Sequence, residues 1–307
     1  MSKFKEVGVF PASSPLSPNL KLEIEEFLHS QGVSVRYLSD PYENYGSTSF
    51  LFSARSAEDR LNSLKIEFQN SSSALLLAAR GGSGAMEILE GLSSLPTPAA
   101  MKILCGFSDF TCLLPTLAKT PNVIALHGPT TLSFRNEVSL ENKLASLQHL
   151  SSLLEGNTKL IEANEIEHLS GPIGEVEGEL LGGNLSTFCS LLGTPFDPDS
   201  KGKILFFEEV GEAPHKVYRN LLHLKLAGKL SSARAILLGR FLNCEHPKQL
   251  GPNIRAIFSV IFDQSPIPVY LTDVFGHGDS TRTFPILYPA RLSAQGLCLM
   301  NRLANPF

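Results

Sequence analysis

A chain of 307 residues with a net charge of -4, 43% hydrophobic and 18% charged, with 24 glycines and 20 prolines, has the make-up of a folded globular protein; disorder and collagen-like repetition are excluded. Its 26 Lys and Arg form no basic stripe, so nucleic acid is not expected as a partner. At roughly 100 to 200 residues per domain the length allows one large domain or two ordinary ones, and two is the expectation.

The N-terminal stretch carries Lys3 and Lys5 ahead of the short run Val7-Gly8-Val9-Phe10 and then Pro11. A secretory signal needs about 7 to 15 apolar residues, and no later window approaches the roughly 18 of a membrane span. A cytoplasmic protein without a membrane partner is expected. Cys105, Cys112, Cys189, Cys244 and Cys298 are odd in number and contain no CxxC pair, and the 8 histidines show no HxxxH or HxH spacing. Neither a disulfide framework nor a metal site is expected, and the thiols read as buried.

The first half alternates short apolar runs with helical periodicity. Val7 to Phe10, Val33 to Leu38, Ala74 to Ala79, Lys102 to Cys105 and Val123 to Leu126 read as strands. Leu20, Ile24, Phe27 and Leu28 line one face of a helix that Gly32 closes, and Ser56 with Asp59 starts another carrying Leu61, Leu64 and Phe68. A third helix runs from Leu140 to Leu154, capped by Ser139, with Leu140, Leu144, Leu147, Leu150 and Leu154 along one face. Strand–helix alternation of this kind predicts an α/β domain, a parallel sheet covered on both faces, which binds ligands beyond the strand C-termini.

The polar passage that follows reads as a linker, giving an N-terminal domain over 1–154, a linker over 155–172 and a C-terminal domain over 173–307. In the last, Ile173 to Leu180, Ile204 to Phe207, Ala235 to Leu238 and Val269 to Leu271 read as strands, and Leu185 to Leu192, Pro214 to Ala227 and Ile254 to Ile261 as helices.

Five segments could carry chemistry. Gly106-Phe107-Ser108-Asp109 sits between a strand and a helix, where a nucleophile elbow exposes a serine; Phe110 replaces the second glycine of that pattern, so Ser108 could equally be a helix cap. Arg80-Gly81-Gly82-Ser83-Gly84 follows a strand, and its backbone N–H groups could hold an anion or an oxyanion, or simply make a tight turn. Glu87 stands at the third glycine position of a dinucleotide fingerprint and would repel a pyrophosphate. Gly182-Gly183-Asn184 opens a helix; Glu208 and Glu209 end a buried strand, where carboxylates are placed for function, or with Glu212 simply make a solvated acidic loop. His277 lies between Gly276 and Gly278, which free the backbone to expose or turn the imidazole, or is only a surface or packing residue.

In this chain order, Arg80-Gly-Gly-Ser-Gly84, Gly106-Phe-Ser108-Asp109, Gly182-Gly-Asn184-Leu185, Phe207-Glu208-Glu209-Val210-Gly-Glu212-Ala-Pro214 and Gly276-His277 together resemble the LD-carboxypeptidase family of serine peptidases. The likeness extends from Gly8-Val9-Phe10-Pro11 to Thr283-Phe284-Pro285-Ile286, nearly the whole chain. It implies an N-terminal flavodoxin-like parallel-sheet domain bearing the serine and a smaller mixed α/β domain bearing Glu and His. It also implies release of the terminal D-Ala from a murein tetrapeptide without metal or cofactor, and it favours a homodimer.

Matched position by position, the resemblance puts the nucleophile at Ser108, the carboxylate at Glu208 and the base at His277. The N–H groups of Gly82 and Asp109 fall at the oxyanion hole, and Arg80 and Asn184 are candidate substrate contacts. Ser83 stands where the family usually has Tyr, and Leu287 where Gly is common. Two alternatives accompany this reading. One is the superfamily's serine amidase activity on acyl-sulfamoyl adenylates, of the microcin C self-immunity type, against which the absence of Trp counts. The other is a cell-wall-peptide binder without turnover.

Overall fold

The computed structural model describes residues 4–42, 52–69, 73–245, 252–278 and 280–304. The chain divides into two compact units, Met1–Gly156 with Leu303–Phe307, and Asn157–Arg302.

In the first unit the strands are β1 (Glu6–Phe10), β2 (Ser34–Tyr37), β3 (Leu75–Ala78), β4 (Lys102–Gly106) and β5 (Val123–His127). They pair in parallel in the order β2-β1-β3-β4-β5, the flavodoxin-type order. β3 and β4 are buried along their whole length, as befits near-continuous apolar runs in the middle of a covered parallel sheet. Lys102 is tolerated there because its buried ammonium donates to Glu67 Oε1 at 2.7 Å and to the Ser73 carbonyl.

Helices Pro18–Ser30, Ala57–Gln69 and Leu140–Leu154 lie where the periodicity puts them. Ser17 caps the first through Leu20 N, Ser56 accepts from Asp59 N, and Ser139 caps the third through Asn142 N. The buried face of the third helix is Leu147, Leu150, Leu153 and Leu154 with Lys143 and Ser146, whereas Leu140 and Leu144 are exposed. The face therefore lies rotated from the leucine stripe read in the sequence.

The second unit is built on a mixed sheet. Its first strands are β6 (Lys159–Ile161), β7 (Glu167–Ser170), β8 (Val176–Asn184), β9 (Ile204–Val210), β10 (Ala235–Leu242) and β11 (Val269–Leu271), and Pro289–Ser293 and Gly296–Leu299 complete it as a terminal hairpin. β8, β9, β10 and β11 are parallel neighbours. β7 pairs antiparallel beside β11, and the hairpin joins β8 to β6.

Two sequence readings are corrected. The stretch 155–172 is not a bare linker, since β6 and β7 lie within it. Ile173 is three-quarters exposed and precedes β8, which starts at Val176 and extends to Asn184. The terminal hairpin was not anticipated; the alternation of Ala290 and Leu292, then Leu297 and Leu299, around a Ser293–Gly296 turn is the signal for it.

Leu287 adopts φ +55°, in the left-handed region that only glycine enters freely, while its N–H donates to the Leu180 carbonyl at 2.7 Å. This is the position where the resembled family favours Gly. Left-handed backbone costs an ordinary residue roughly 1–2 kcal/mol, against roughly 0.5–1 kcal/mol of extra chain entropy for Gly. Leu287→Gly is thus expected to leave stability unchanged or to raise it by up to about 1 kcal/mol in denaturant unfolding. A loss above about 2 kcal/mol would show that packing of the Leu287 side chain dominates.

Candidate active site

In the first unit, the C-terminal ends of three adjacent parallel strands converge. β4 runs into Phe107 and then a short helix over Ser108–Cys112, in which Ser108 is held at φ +63°. A non-glycine residue in the left-handed region at a strand-to-helix turn is the strained geometry of a nucleophile elbow. Ser108 is not a helix cap, because Phe107 occupies that place. Gly106 permits the turn, as a Cβ there would lie 2.7 Å from the Phe110 ring and from Ala78 Cβ.

β3 leads into the glycine turn, whose backbone passes directly against the serine. A Cβ added to Gly81 would lie 2.6 Å from both Cβ and Oγ of Ser108 and 3.5 Å from Asp109 N. Gly82, at φ +108°, faces Ser14 instead, and Ser83 N–H donates to Ser14 Oγ at 3.1 Å.

Asp109 locks this arrangement. Its Oδ2 accepts from Ala85 N at 2.9 Å. Burial pushes its carboxyl above the usual range, opposed by that hydrogen bond, by the Ser13 hydroxyl and by Arg60. Arg60, wholly buried, donates to the carbonyls of Ala12 at 2.5 Å and Gly84 at 2.9 Å and pairs with Glu87. One guanidinium thereby ties the loop after β1 to the glycine turn. Glu87, which argued against a pyrophosphate, is its counter-ion. Arg80 donates to the Pro15 carbonyl at 3.2 Å from the same turn.

In the second unit, Glu208 and Glu209 immediately precede Val210, the C-terminal residue of β9, and alternation along the strand sends them to opposite faces. Glu208 is fully buried, and its Oε2 accepts both the His277 backbone N–H at 2.9 Å and His277 Nδ1 at 2.6 Å. Because that oxygen already accepts a main-chain N–H, the ring nitrogen facing it is the protonated one, leaving Nε2 as the basic nitrogen. The imidazole is mostly covered, its side chain 18% exposed. Gly276, at φ +102°, makes the approach possible, since a Cβ there would lie 2.6 Å from Glu208 Cβ. Phe275 anchors the segment in a cluster with Phe206 and Phe284 at ring separations of 5.6 and 4.9 Å.

Glu209 serves the other face. Asn184 Nδ2 donates to it at 2.7 Å, Ser186 N at 2.9 Å and Val210 N at 2.9 Å, with the Ser186 hydroxyl as a further donor. Asn184 Oδ1 in turn caps the helix Leu185–Cys189 through Thr187 N at 3.0 Å. Its oxygen and one amide hydrogen are thus occupied within the fold.

Burial pushes the Cys189 thiol up to about 12 and the Cys244 thiol to about 11, and raises Cys105 and Cys112 as well, so none of these four competes as a nucleophile at neutral pH. Among the described residues no group of three or more His, Cys, Asp or Glu side chains is placed to hold a metal ion, and no helix is long and apolar enough to cross a membrane. Sequence reading missed Arg60, which sits on a face read as apolar, as well as Ser13 and Ser14. Arg240, in Gly239-Arg240-Phe241 directly after an apolar strand, was missed too.

A parallel-sheet unit with a strained serine just beyond the C-terminal end of β4 and a second unit with a carboxylate–imidazole pair make up a two-unit α/β architecture. The sequence model of the LD-carboxypeptidase N-terminal domain matches residues 7–128 and that of the LD-carboxypeptidase C-terminal domain matches residues 177–292. A relative named "Probable murein peptide carboxypeptidase" from Bacillus subtilis (strain 168) is 31% identical over 245 residues, covering 80% of this chain and 74% of the relative. The crystal structure of muramoyltetrapeptide carboxypeptidase from Oxalobacter formigenes superposes with a TM-score of 0.76 at 25% identity, covering 95% of this chain and 96% of that one. The structure of MccF in complex with glutamyl sulfamoyl guanosine shares the fold, with a TM-score of 0.82 at 18% identity over 99% of this chain and 98% of that one. The chain belongs to the LD-carboxypeptidase family, and it is a carboxypeptidase of that family.

Proposed function

We propose that this enzyme is a serine carboxypeptidase that releases the terminal D-Ala from murein tetrapeptides in cytoplasmic cell-wall recycling. The observation that carries the reading is the buried Glu208 bonded at 2.6 Å to Nδ1 of His277, which presents Nε2 as a base. The two units correspond in this proposal to a nucleophile-bearing domain and a domain bearing the carboxylate and base.

In the proposed reaction Ser108 Oγ attacks the carbonyl carbon preceding D-Ala as its proton passes to His277 Nε2, and Glu208 holds the tautomer and stabilises the imidazolium. The oxyanion is received by the N–H groups of Asp109 and Gly82, each such donor worth about 2.7–4 kcal/mol in related sites. The C–N bond then breaks, the imidazolium proton goes to the leaving amine, and water deprotonated by His277 hydrolyses the acyl-enzyme. Arg80, next to the glycine turn, is the cation assigned to the D-Ala carboxylate. The strained Ser108 turn and the crowding of Gly81 against its Oγ support Ser108 as the nucleophile, and the names of the relatives support the substrate class.

The test is incubation with purified tetrapeptide and, in parallel, with an acyl-sulfamoyl adenylate, following free D-Ala and free sulfamoyl adenylate. Release of D-Ala is expected. Turnover of the adenylate alone would favour the amidase, and turnover of neither would favour a binder. EDTA is expected to leave the rate unchanged, and activity lost on chelation and restored by zinc would overturn the serine mechanism.

A further inference from the structure

Glu208 fixes one side of the imidazole, but the main chain that carries His277 needs its own support, and the structure supplies one at a single side chain. Pairing of β10 with β9 advances three residues from Leu238 to Phe241 against two from Phe207 to Glu209, so one extra residue is bulged out at Gly239-Arg240. A bulge re-aims the side chain it carries. Here the Arg240 guanidinium reaches across to the His277 segment, where Nε donates to the Asp273 carbonyl, Nη1 to the His277 carbonyl at 3.3 Å and Nη2 to the Ser280 carbonyl.

The Arg240 main-chain N–H adds a bond to the Phe275 carbonyl at 3.1 Å. Two glycines keep the approach open. A Cβ on Gly278 would lie 2.4 Å from Arg240 Nη1, and one on Gly239 would lie 2.6 Å from the Phe275 ring. The planar fork of arginine can serve three carbonyls in fixed directions, which the single ammonium of lysine cannot.

We propose that Arg240 is a positioning residue for the catalytic base: from the β10 bulge its guanidinium clamps three carbonyls of the His277 segment and so holds the imidazole on Glu208. The proposal rests on His277 being the base. Arg240→Ala is expected to lower kcat on tetrapeptide about 10²-fold, the scale of an ångström-sized misplacement, with KM changed less than about threefold. Free guanidinium at millimolar concentration should restore part of the loss, and Arg240→Lys should fall between the two.

Independently of any substrate, the low-field proton NMR signal of His277 Nδ1–H, identified by its loss in His277→Ala, should broaden or vanish in Arg240→Ala. Wild-type kcat in Arg240→Ala, or an unaltered low-field signal in it, would overturn the proposal. If Arg240→Ala does not fold, the same two readouts on Arg240→Lys decide in the same way. Wild-type protein inactive on tetrapeptide, or an active Ser108→Ala, would instead overturn the functional reading, and the NMR comparison still decides the positioning role.

Discussion

Ser108→Ala is expected to lower kcat on murein tetrapeptide by roughly 10⁶-fold, the scale seen when the nucleophile of a serine triad is removed, with a thermal midpoint close to that of wild type. Ser108 is only partly buried in the turn after β4, so loss of one hydroxyl opens no sizeable cavity, and alanine inherits the φ +63° that serine endures. Binding of tetrapeptide should persist and can be measured by calorimetry on the inactive variant. Ser108→Gly should be equally inactive yet as stable as wild type or up to about 1 kcal/mol more so, because glycine adopts this backbone without strain. Release of D-Ala by Ser108→Ala at the wild-type rate would remove Ser108 from the mechanism. Equal inactivity with a large loss of stability in both variants would mean that the elbow is a folding element rather than a catalytic one.

Glu208→Gln and Glu209→Gln are expected to separate cleanly. Glu208 is buried, and one of its oxygens takes both N–H groups of His277. Glutamine keeps an acceptor there but loses the charge that stabilises the imidazolium, and by comparison with the Asp→Asn change in a Ser-His-Asp triad kcat should fall by about 10⁴-fold. Glu209 receives Asn184, Ser186 and Val210 on the other face of the strand, so Glu209→Gln turns an NH₂ group toward donors and leaves a buried clash of like groups. Its expected cost is about 1–3 kcal/mol of stability with kcat reduced far less. Thermal denaturation and kinetics on the same two proteins check the pair, and a larger kcat loss in Glu209→Gln would exchange the roles of the two carboxylates.

What the amino-acid sequence determined by itself was mostly what local rules dictate. The β1 to β5 runs, the helix starts at Ser56 and Ser139 and the boundaries of Ile254–Ile261 follow from apolar spacing and capping chemistry, which act over a few residues. Opposite faces for Glu208 and Glu209 follow from the two-residue repeat of a strand. The family resemblance rested on glycines and polar residues, among them glycines whose positive φ is a local backbone demand, such as Gly276 at φ +102° next to His277.

Only the tertiary structure decided the rest. The strands β6 and β7 take their stability from neighbours far along the chain, the terminal hairpin and β11. At three and four residues they are too short for apolar alternation to stand out in a mostly polar stretch, although Leu160 and Ile161 of β6 are buried. Leu140 and Leu144 lie outside the buried face because the packing surface, not the leucine count, sets which face a helix buries. Arg60 and Arg240 were illegible for the same reason. A guanidinium that serves carbonyls 24 to 48 residues away, or a bulge that turns Arg240 onto the His277 segment, is defined by where distant segments meet. No window of sequence contains both partners.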